Sequence, residues 1–377
     1  MRQLTLLESA IVKMHPAIFM GFSGGEFLRL IRGQHIDPVF WPKAALATLC
    51  GAATSMLAVL ERRWEQQLPV DEDNWRRPVF LLGLPRSGTT HLFELLASSQ
   101  LFAYPTRLDC LNPHTFLTLR KMGVARLLAR RKLRSRVIDN VQVGWMQPEE
   151  DDLAIFALTG LRGCVWRVFP RDTSAERAGE FFIDAAAPEA REWKQALRRF
   201  TRKLSALHRK PLLLKSPSHT TKVAEILSVF PEARFVTIFR EPRSHFQSYR
   251  AMFGSNATGW EDLQVRPPRE DHEFLKVIGR QLRHYFATRS LIPKGQLVEI
   301  RHEDLLAHSK KTLEAVFGSW GQSVPSELFA RLGKQEAKLY QRNSYLPLGA
   351  EISEAIYAAY APLYERTYYE ANVVSPD

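Results

Sequence analysis

Residues 78–97 read Pro78-Val79-Phe80-Leu81-Leu82-Gly83-Leu84-Pro85-Arg86-Ser87-Gly88-Thr89-Thr90-His91-Leu92-Phe93-Glu94-Leu95-Leu96-Ala97. The opening run, Pro78 to Leu84, is short, unbroken and apolar, as expected of a strand buried on both faces of a parallel sheet. His91 to Ala97 carries a helical pattern. Between them lies a glycine-bounded turn. A turn that feeds a helix directs successive backbone N–H groups, and the positive end of the helix dipole, at one point, which suits a phosphate. The spacing from Gly83 to Gly88 equals that of the nucleotide-triphosphate loop G-x-x-x-x-G-K-[ST], but Thr89 stands where that motif needs lysine, and the cation sits at Arg86. Ordinary phosphoryl transfer uses that lysine on the β and γ phosphates, so its loss argues against a kinase or ATPase. A plain strand-to-helix turn is the structural alternative, although Arg86, Ser87, Gly88, Thr89 and Thr90 all suit an anion.

Working outward, further apolar runs follow at Pro211–Leu214, Arg234–Phe239 and Gln296–Ile300. Helical patterns such as Thr220–Phe230 lie between them. Strand and helix alternation predicts an α/β fold: a central parallel sheet with a P-loop-like phosphate-binding turn, flanked by helices. Residues 1–75 read as a helical N-terminal extension ending in a polar linker, Pro69 to Arg77, and 76–377 as the catalytic domain, closed by a helical C-terminal extension. From about 100 to 205 charged helical patterns dominate. This predicts a helical insertion that shapes an acceptor pocket beyond the carboxyl ends of the strands.

A second motif, Phe239-Arg240-Glu241-Pro242-Arg243-Ser244-His245-Phe246-Gln247-Ser248-Tyr249, also ends a strand and opens a helix. Arg240 at the strand end can grip a phosphate bidentately, and Ser248, about two helical turns on, can present a hydroxyl to the same group. An ion pair with Glu241 or another carboxylate would explain Arg240 taken alone. Two separate anion motifs suggest one ligand with phosphate at two places.

Together, GLPRSGTT and FREPRSHFQSY resemble the paired signatures with which the sulfotransferase superfamily binds 3'-phosphoadenosine 5'-phosphosulfate (PAPS). The likeness spans roughly Arg77 to Leu306, and the P-R-S-G-T-T wording is most similar to the large bacterial and tyrosylprotein groups. The resemblance implies transfer of a sulfuryl group from PAPS, as co-substrate, to an acceptor hydroxyl or amine, with no metal required. It implies that Arg86 to Thr90 hold the 5'-phosphosulfate and that Arg240 with Ser248 hold the 3'-phosphate. Leu214-Lys215-Ser216-Pro217-Ser218-His219 resembles the family's L-K-S-P-x-H segment, which would aim Lys215 at the transferring group. Glu299 to Leu305 resembles its Y-E-D-L strand ending, with Arg301-His302 departing from the usual tyrosine, and is read as structural. A P-loop-type kinase and a non-catalytic nucleotide-binding protein are the competing classes.

The acceptor must lose a proton, so a carboxylate or imidazole is required within its reach. The resemblance offers Asp109. Glu149-Glu150-Asp151-Asp152 resembles the bacterial P-x-E-D-E segment, and crowded like charges raise a carboxyl pKa as a base such as Glu150 needs; acids after Pro148 also fit a plain helix N-terminus. His219 and His114 are further candidates, since histidine titrates near neutrality, although a lone histidine is more often structural. Arg342, in Tyr340–Tyr345, falls where the family places a loop over the nucleotide.

The 377 residues, 45% hydrophobic, suffice for a sizeable core. Three scattered cysteines, Cys50, Cys110 and Cys164, disfavour a disulfide framework or a zinc site, and the N-terminus lacks a secretory pattern; a cytoplasmic protein is expected. The net charge of +12 is spread along the chain without an aromatic platform, which disfavours nucleic acid. Its densest run, Arg126–Arg136, reads as a solvated amphipathic helix, with contact to a membrane surface or an acidic substrate the lesser alternatives. Uncharged Ala44–Leu60 reads as a buried helix, with membrane attachment the lesser alternative. Trp145, Phe156, Trp166, Phe169, Phe181 and Phe182 suit either a core or a small-molecule, lipid-like or glycan acceptor.

Overall fold

The computed structural model describes residues 14–15, 17–131, 134–135, 142–160, 168–171, 182–183, 187–254, 262–326, 328–329, 348–366 and 368–369. The chain divides into two compact units: Met1–Trp75, Ala103–Leu214 and Ser255–Pro268 form one, and Arg76–Phe102, Lys215–Gly254 and Arg269–Asp377 the other.

The first unit is helical. It holds α1 (Gly24–Ile31), α2 (Trp41–Glu65) and α3 (Glu72–Arg76, whose last residue begins the second unit), then α5 (Arg107–Leu111), α6 (Phe116–Lys121) and α7 (Val124–Ala129). A two-residue hairpin, β2 (Arg134–Ser135) with β3 (Gln142–Val143), precedes α8 (Asp152–Thr159) and α9 (Pro188–His208). The N-terminal helices therefore share a unit with the helical insertion. Phe27 with Phe19 and Phe22, and Phe22 with Phe156, pack edge to face with centroids 5.0–6.3 Å apart, an arrangement that ring quadrupoles favour, and Phe169 joins the same core.

The second unit carries β1 (Val79–Leu82), α4 (Thr89–Ala97), α10 (Val223–Val229), β5 (Arg234–Phe239), α11 (Pro242–Phe253), α12 (Asp271–Thr288), β6 (Leu297–Arg301), α13 (His302–Ala307), α14 (Ser309–Ser319) and α15 (Ser353–Tyr364). With β4 (Leu213–Lys215), where the chain passes from the first unit to the second, the strands form a four-stranded parallel sheet in the order β4-β1-β5-β6. Val79 to Leu82 pair in register with Arg234 to Thr237, and Phe235 to Phe239 with Leu297 to Arg301. Every side chain of β1 is buried, which is why its sequence shows no alternation. After β1 the chain crosses to one side, to β4, and after β5 it crosses to the other, to β6. The strand order thus reverses between β1 and β5, and at such a switch point the carboxyl ends of neighbouring strands open a crevice.

Two expectations are corrected. The stretch Ala44–Leu60 is not a buried helix: only one narrow face of α2 is covered, and Leu49 and Met56 are 68% and 75% exposed. The polar run Pro69–Arg77 is not a bare linker, because α3 forms inside it and buries Trp75, whose indole N–H donates to Thr201 Oγ1 at 3.1 Å. The helix in the basic run is solvated as expected, with Leu127 exposed, but it is shorter than the run, spanning Val124–Ala129. Trp166, Phe181, Cys164, Arg342 and the 132–133 and 136 part of the basic run lie outside the described residues.

Candidate active site

The turn after β1 is built by three residues in the left-handed region. Gly83 leaves the strand at φ 146°, where a Cβ would lie 2.6 Å from Ser87 Oγ and 2.7 Å from the Ile238 carbonyl oxygen. Arg86 has φ 76°, a strained conformation for a side chain with a Cβ and one that persists only where surrounding bonds impose it. Those bonds are present: Ser87 donates both its N–H (3.1 Å) and its hydroxyl (2.8 Å) to the Leu84 carbonyl, and the Gly83 N–H donates to Thr220 Oγ1 at 2.8 Å. Gly88, at φ 101°, caps α4. A Cβ on it would sit 2.3 Å from Cδ2 of His302, so only glycine lets the histidine that follows β6 stand against the loop.

The two helices that follow the two motifs differ at their N-termini. In α11 the Glu241 carboxylate accepts from the N–H groups of Arg243 (2.8 Å) and Ser244 (2.7 Å), so the first turn already has its anion. In α4 the cap is a glycine without a side chain, and the first-turn amides have no helical carbonyl to bond. The open, positively polarised N-terminus is therefore that of α4.

The second motif meets the first at Arg86. Its Nε donates to Ser248 Oγ at 3.0 Å, and an Arg240 guanidinium nitrogen donates to the Arg86 carbonyl at 3.2 Å. Lys215, buried, ends β4. The carboxyl ends of the four strands thus present Lys215, the loop, Arg240 and His302 in spatial order.

His245, quoted within the second motif but given no role from the sequence, is fully buried. Its Nε2 lies 2.9 Å from the Pro85 carbonyl and its Nδ1 2.5 Å from the Tyr360 hydroxyl. A carbonyl only accepts, so Nε2 carries the hydrogen and Nδ1 accepts from Tyr360. Burial, reinforced by the nearby Arg240 and Arg86 charges, lowers the His245 pKa to about 3, and burial raises the Tyr360 hydroxyl well above its usual range. Both stay neutral and hold the loop. The sequence signal was present, a histidine inside the second motif, but its partner Tyr360 is 115 residues away.

The remaining candidates are placed as follows. The His219 ring packs edge-on against Phe80, centroids 5.4 Å apart. Asp109 belongs to the first unit, where it closes a capping box with Thr106 and takes a bidentate pair from Arg120 at 2.8 and 2.7 Å. Both oxygens of the Asp109 carboxylate are therefore engaged. Glu150, in the same unit and half-exposed, precedes Asp151, the N-cap of α8. His114 is also there, buried, with its pKa lowered to about 3 first by burial and then by Arg199 and Lys203.

A parallel sheet whose switch point carries a glycine loop, an open helix N-terminus and two neighbouring arginines defines an α/β protein with a turn suited to an anion. Residues 78–325 match the model of the sulfotransferase family, and the chain belongs to that family. It is 26% identical over 318 residues to the omega-hydroxy-beta-dihydromenaquinone-9 sulfotransferase Stf3 of Mycobacterium bovis, covering 81% of this chain and 79% of that one. Among solved structures, sulfotransferase STF9 from Mycobacterium avium superposes with a TM-score of 0.62 at 16% identity, covering 93% of this chain and 97% of that one. Sulfotransferase STF1 from Mycobacterium tuberculosis gives 0.55 at 17%, covering 89% and 90%. These likenesses show the fold.

Proposed function

We propose that this sulfotransferase takes PAPS as its donor and carries the sulfuryl group in line to a hydroxyl on a long, lipid-like acceptor. The observation that carries the donor reading is the meeting of Arg240 and Ser248 with Arg86 beside the open N-terminus of α4. One grip suits a phosphosulfate and the other a second phosphate on the same nucleotide. The backbone amides of this left-handed turn, ahead of the uncapped α4, suit a compact tetrahedral anion. In this reading the amides of Gly88 to Thr90 and the Arg86 side chain hold the 5' end, Arg240 and Ser248 hold the 3'-phosphate, and Lys215 faces the transferring group. Stabilisation of the equatorial and leaving oxygens by these fixed charges supplies most of the catalysis. The acceptor class rests on the relative, whose name records a hydroxylated menaquinone as its substrate. For the base that takes the acceptor proton, the resemblance and the residue chemistry offer Glu150, Asp109 and His219.

Calorimetric titration with 3'-phosphoadenosine 5'-phosphate and with AMP, in the presence of a chelator, tests the donor reading. The bisphosphate is expected to bind far more tightly, and Arg240→Ala to weaken it by on the order of a hundredfold while leaving AMP nearly unchanged. Equal affinity for the two nucleotides would overturn it.

A further inference from the structure

Helix α2 turns an uncharged, strongly apolar face outward. Trp41, Leu46, Leu49, Met56, Val59 and Leu60 are all exposed, over roughly 30 Å of helix. The two charges that flank this stretch point the other way. Lys43 is buried, its Nζ donating to the Asp262 carbonyl at 3.1 Å, and Glu61 is buried against Lys203 at 2.5 Å. The inward face is further pinned where Thr54 Oγ1 donates to the Met20 carbonyl at 3.1 Å, and where a Cβ on Gly51 would lie 3.1 Å from the Gly24 nitrogen.

Pro38–Glu65 is long and apolar enough to cross a membrane. Crossing would strip Lys43, Thr54 and Glu61 from their partners and leave these polar groups unsatisfied in hydrocarbon, which is strongly unfavourable. The helix is therefore built to lie along the protein with one side open.

What covers that side is indicated by its rim. At the end of the apolar face Arg62 and Arg63 are exposed, and α6 sets the Lys121 ammonium 3.6 Å from the centroid of the Trp64 ring. Arg126 and Arg130 of the following α7 segment are exposed as well. An apolar face with cations at its edge and tryptophans at both ends is matched by the anionic surface of a bilayer: acyl chains take the face, phosphates take the rim and the indoles sit between. A second copy of this face matches it less well, because its exposed residues from Trp41 to Leu60 include no carboxylate to meet the arginines.

We infer that α2 is a monotopic docking helix that seats the first unit on anionic phospholipid, with its axis in the plane of the interface. The inference rests on this surface alone and not on the donor or acceptor reading. Joined to a lipid-like acceptor, it places the enzyme where such an acceptor is dissolved.

Flotation with vesicles of phosphatidylcholine, and of phosphatidylcholine mixed with phosphatidylglycerol, tests it. The protein is expected to float with the anionic vesicles and less with the neutral ones. The Leu49→Asp, Met56→Asp double variant should lose at least about tenfold in binding to both, and Arg62→Ala with Arg63→Ala on the order of tenfold to the anionic vesicles alone. On the unaltered protein, brominated phosphatidylcholine should quench tryptophan fluorescence, less so in Trp41→Phe. Absence of flotation and quenching would overturn the inference. So would unchanged binding in the aspartate variant, or a dimer in sedimentation that this variant splits while no vesicle is bound.

Discussion

His245 joins α15 to the glycine turn after β1 through one hydrogen bond on each ring nitrogen. Removing it leaves two buried polar partners, the Pro85 carbonyl and the Tyr360 hydroxyl, without their bonds, and each such loss costs about 1–3 kcal/mol. His245→Ala is therefore expected to lower the unfolding free energy by about 2–6 kcal/mol and to weaken binding of the spent nucleotide. His245→Gln, whose amide N–H reaches the position of Nε2, should restore much of the nucleotide affinity. Denaturant melts and calorimetry on both variants check this: a loss of binding equal in the two would mean that the ring only fills space. His302 beside Gly88 shows the same economy at residue scale, since the absent side chain of one residue makes room for the ring of the other.

At the scale of elements, α9 is held to α2 by a buried charge pair. Burial pulls the Lys203 ammonium below its usual range, the Glu61 carboxylate opposes that shift, and each group has a further partner: Lys203 donates to the Pro113 carbonyl at 2.7 Å, and Glu61 accepts from the Thr118 N–H at 2.7 Å. Breaking one side of such a pair strands a charge, whereas replacing both sides often costs little. Lys203→Met should destabilise by about 3–5 kcal/mol, and adding Glu61→Gln, which keeps the acceptor for Thr118, should recover most of it. Urea denaturation of the single and double variants measures the difference. The same helix pair explains why periodicity misread α2. A run of Ala, Leu, Thr and Gly is equally compatible with a core helix and with one covered on a single narrow side, and its only inward charges, Lys43 and Glu61, lie just outside the uncharged stretch.

Over the whole molecule, stability should depend on acidity through two buried neutral histidines, His245 in one unit and His114 in the other. Their folded pKa values, about 3, lie below the ordinary 6.5, so between those limits the unfolded chain binds protons that the folded chain does not. Stability is then present above about 6.5 and falls as pH drops towards 3, by about 1.4 kcal/mol per pH unit for each group. Denaturation at pH 7 and pH 5 should show that slope, reduced in His245→Gln; a stability that rises on acidification would contradict it. Much of the architecture was legible beforehand because its signals are local. Unbroken apolar runs of strand length, glycines at fixed offsets and arginine at a strand end are properties of a few consecutive residues, and they determined the α/β class, the loop and the paired motifs. Only the tertiary structure decided the strand order that puts β1 beside β5, the sharing of Arg86 by both motifs, the engagement of Asp109 by Arg120, and the outward turn of α2. The physical reason is that periodicity reports which faces are apolar or charged, whereas the partner each face meets is set by packing between segments far apart in the chain.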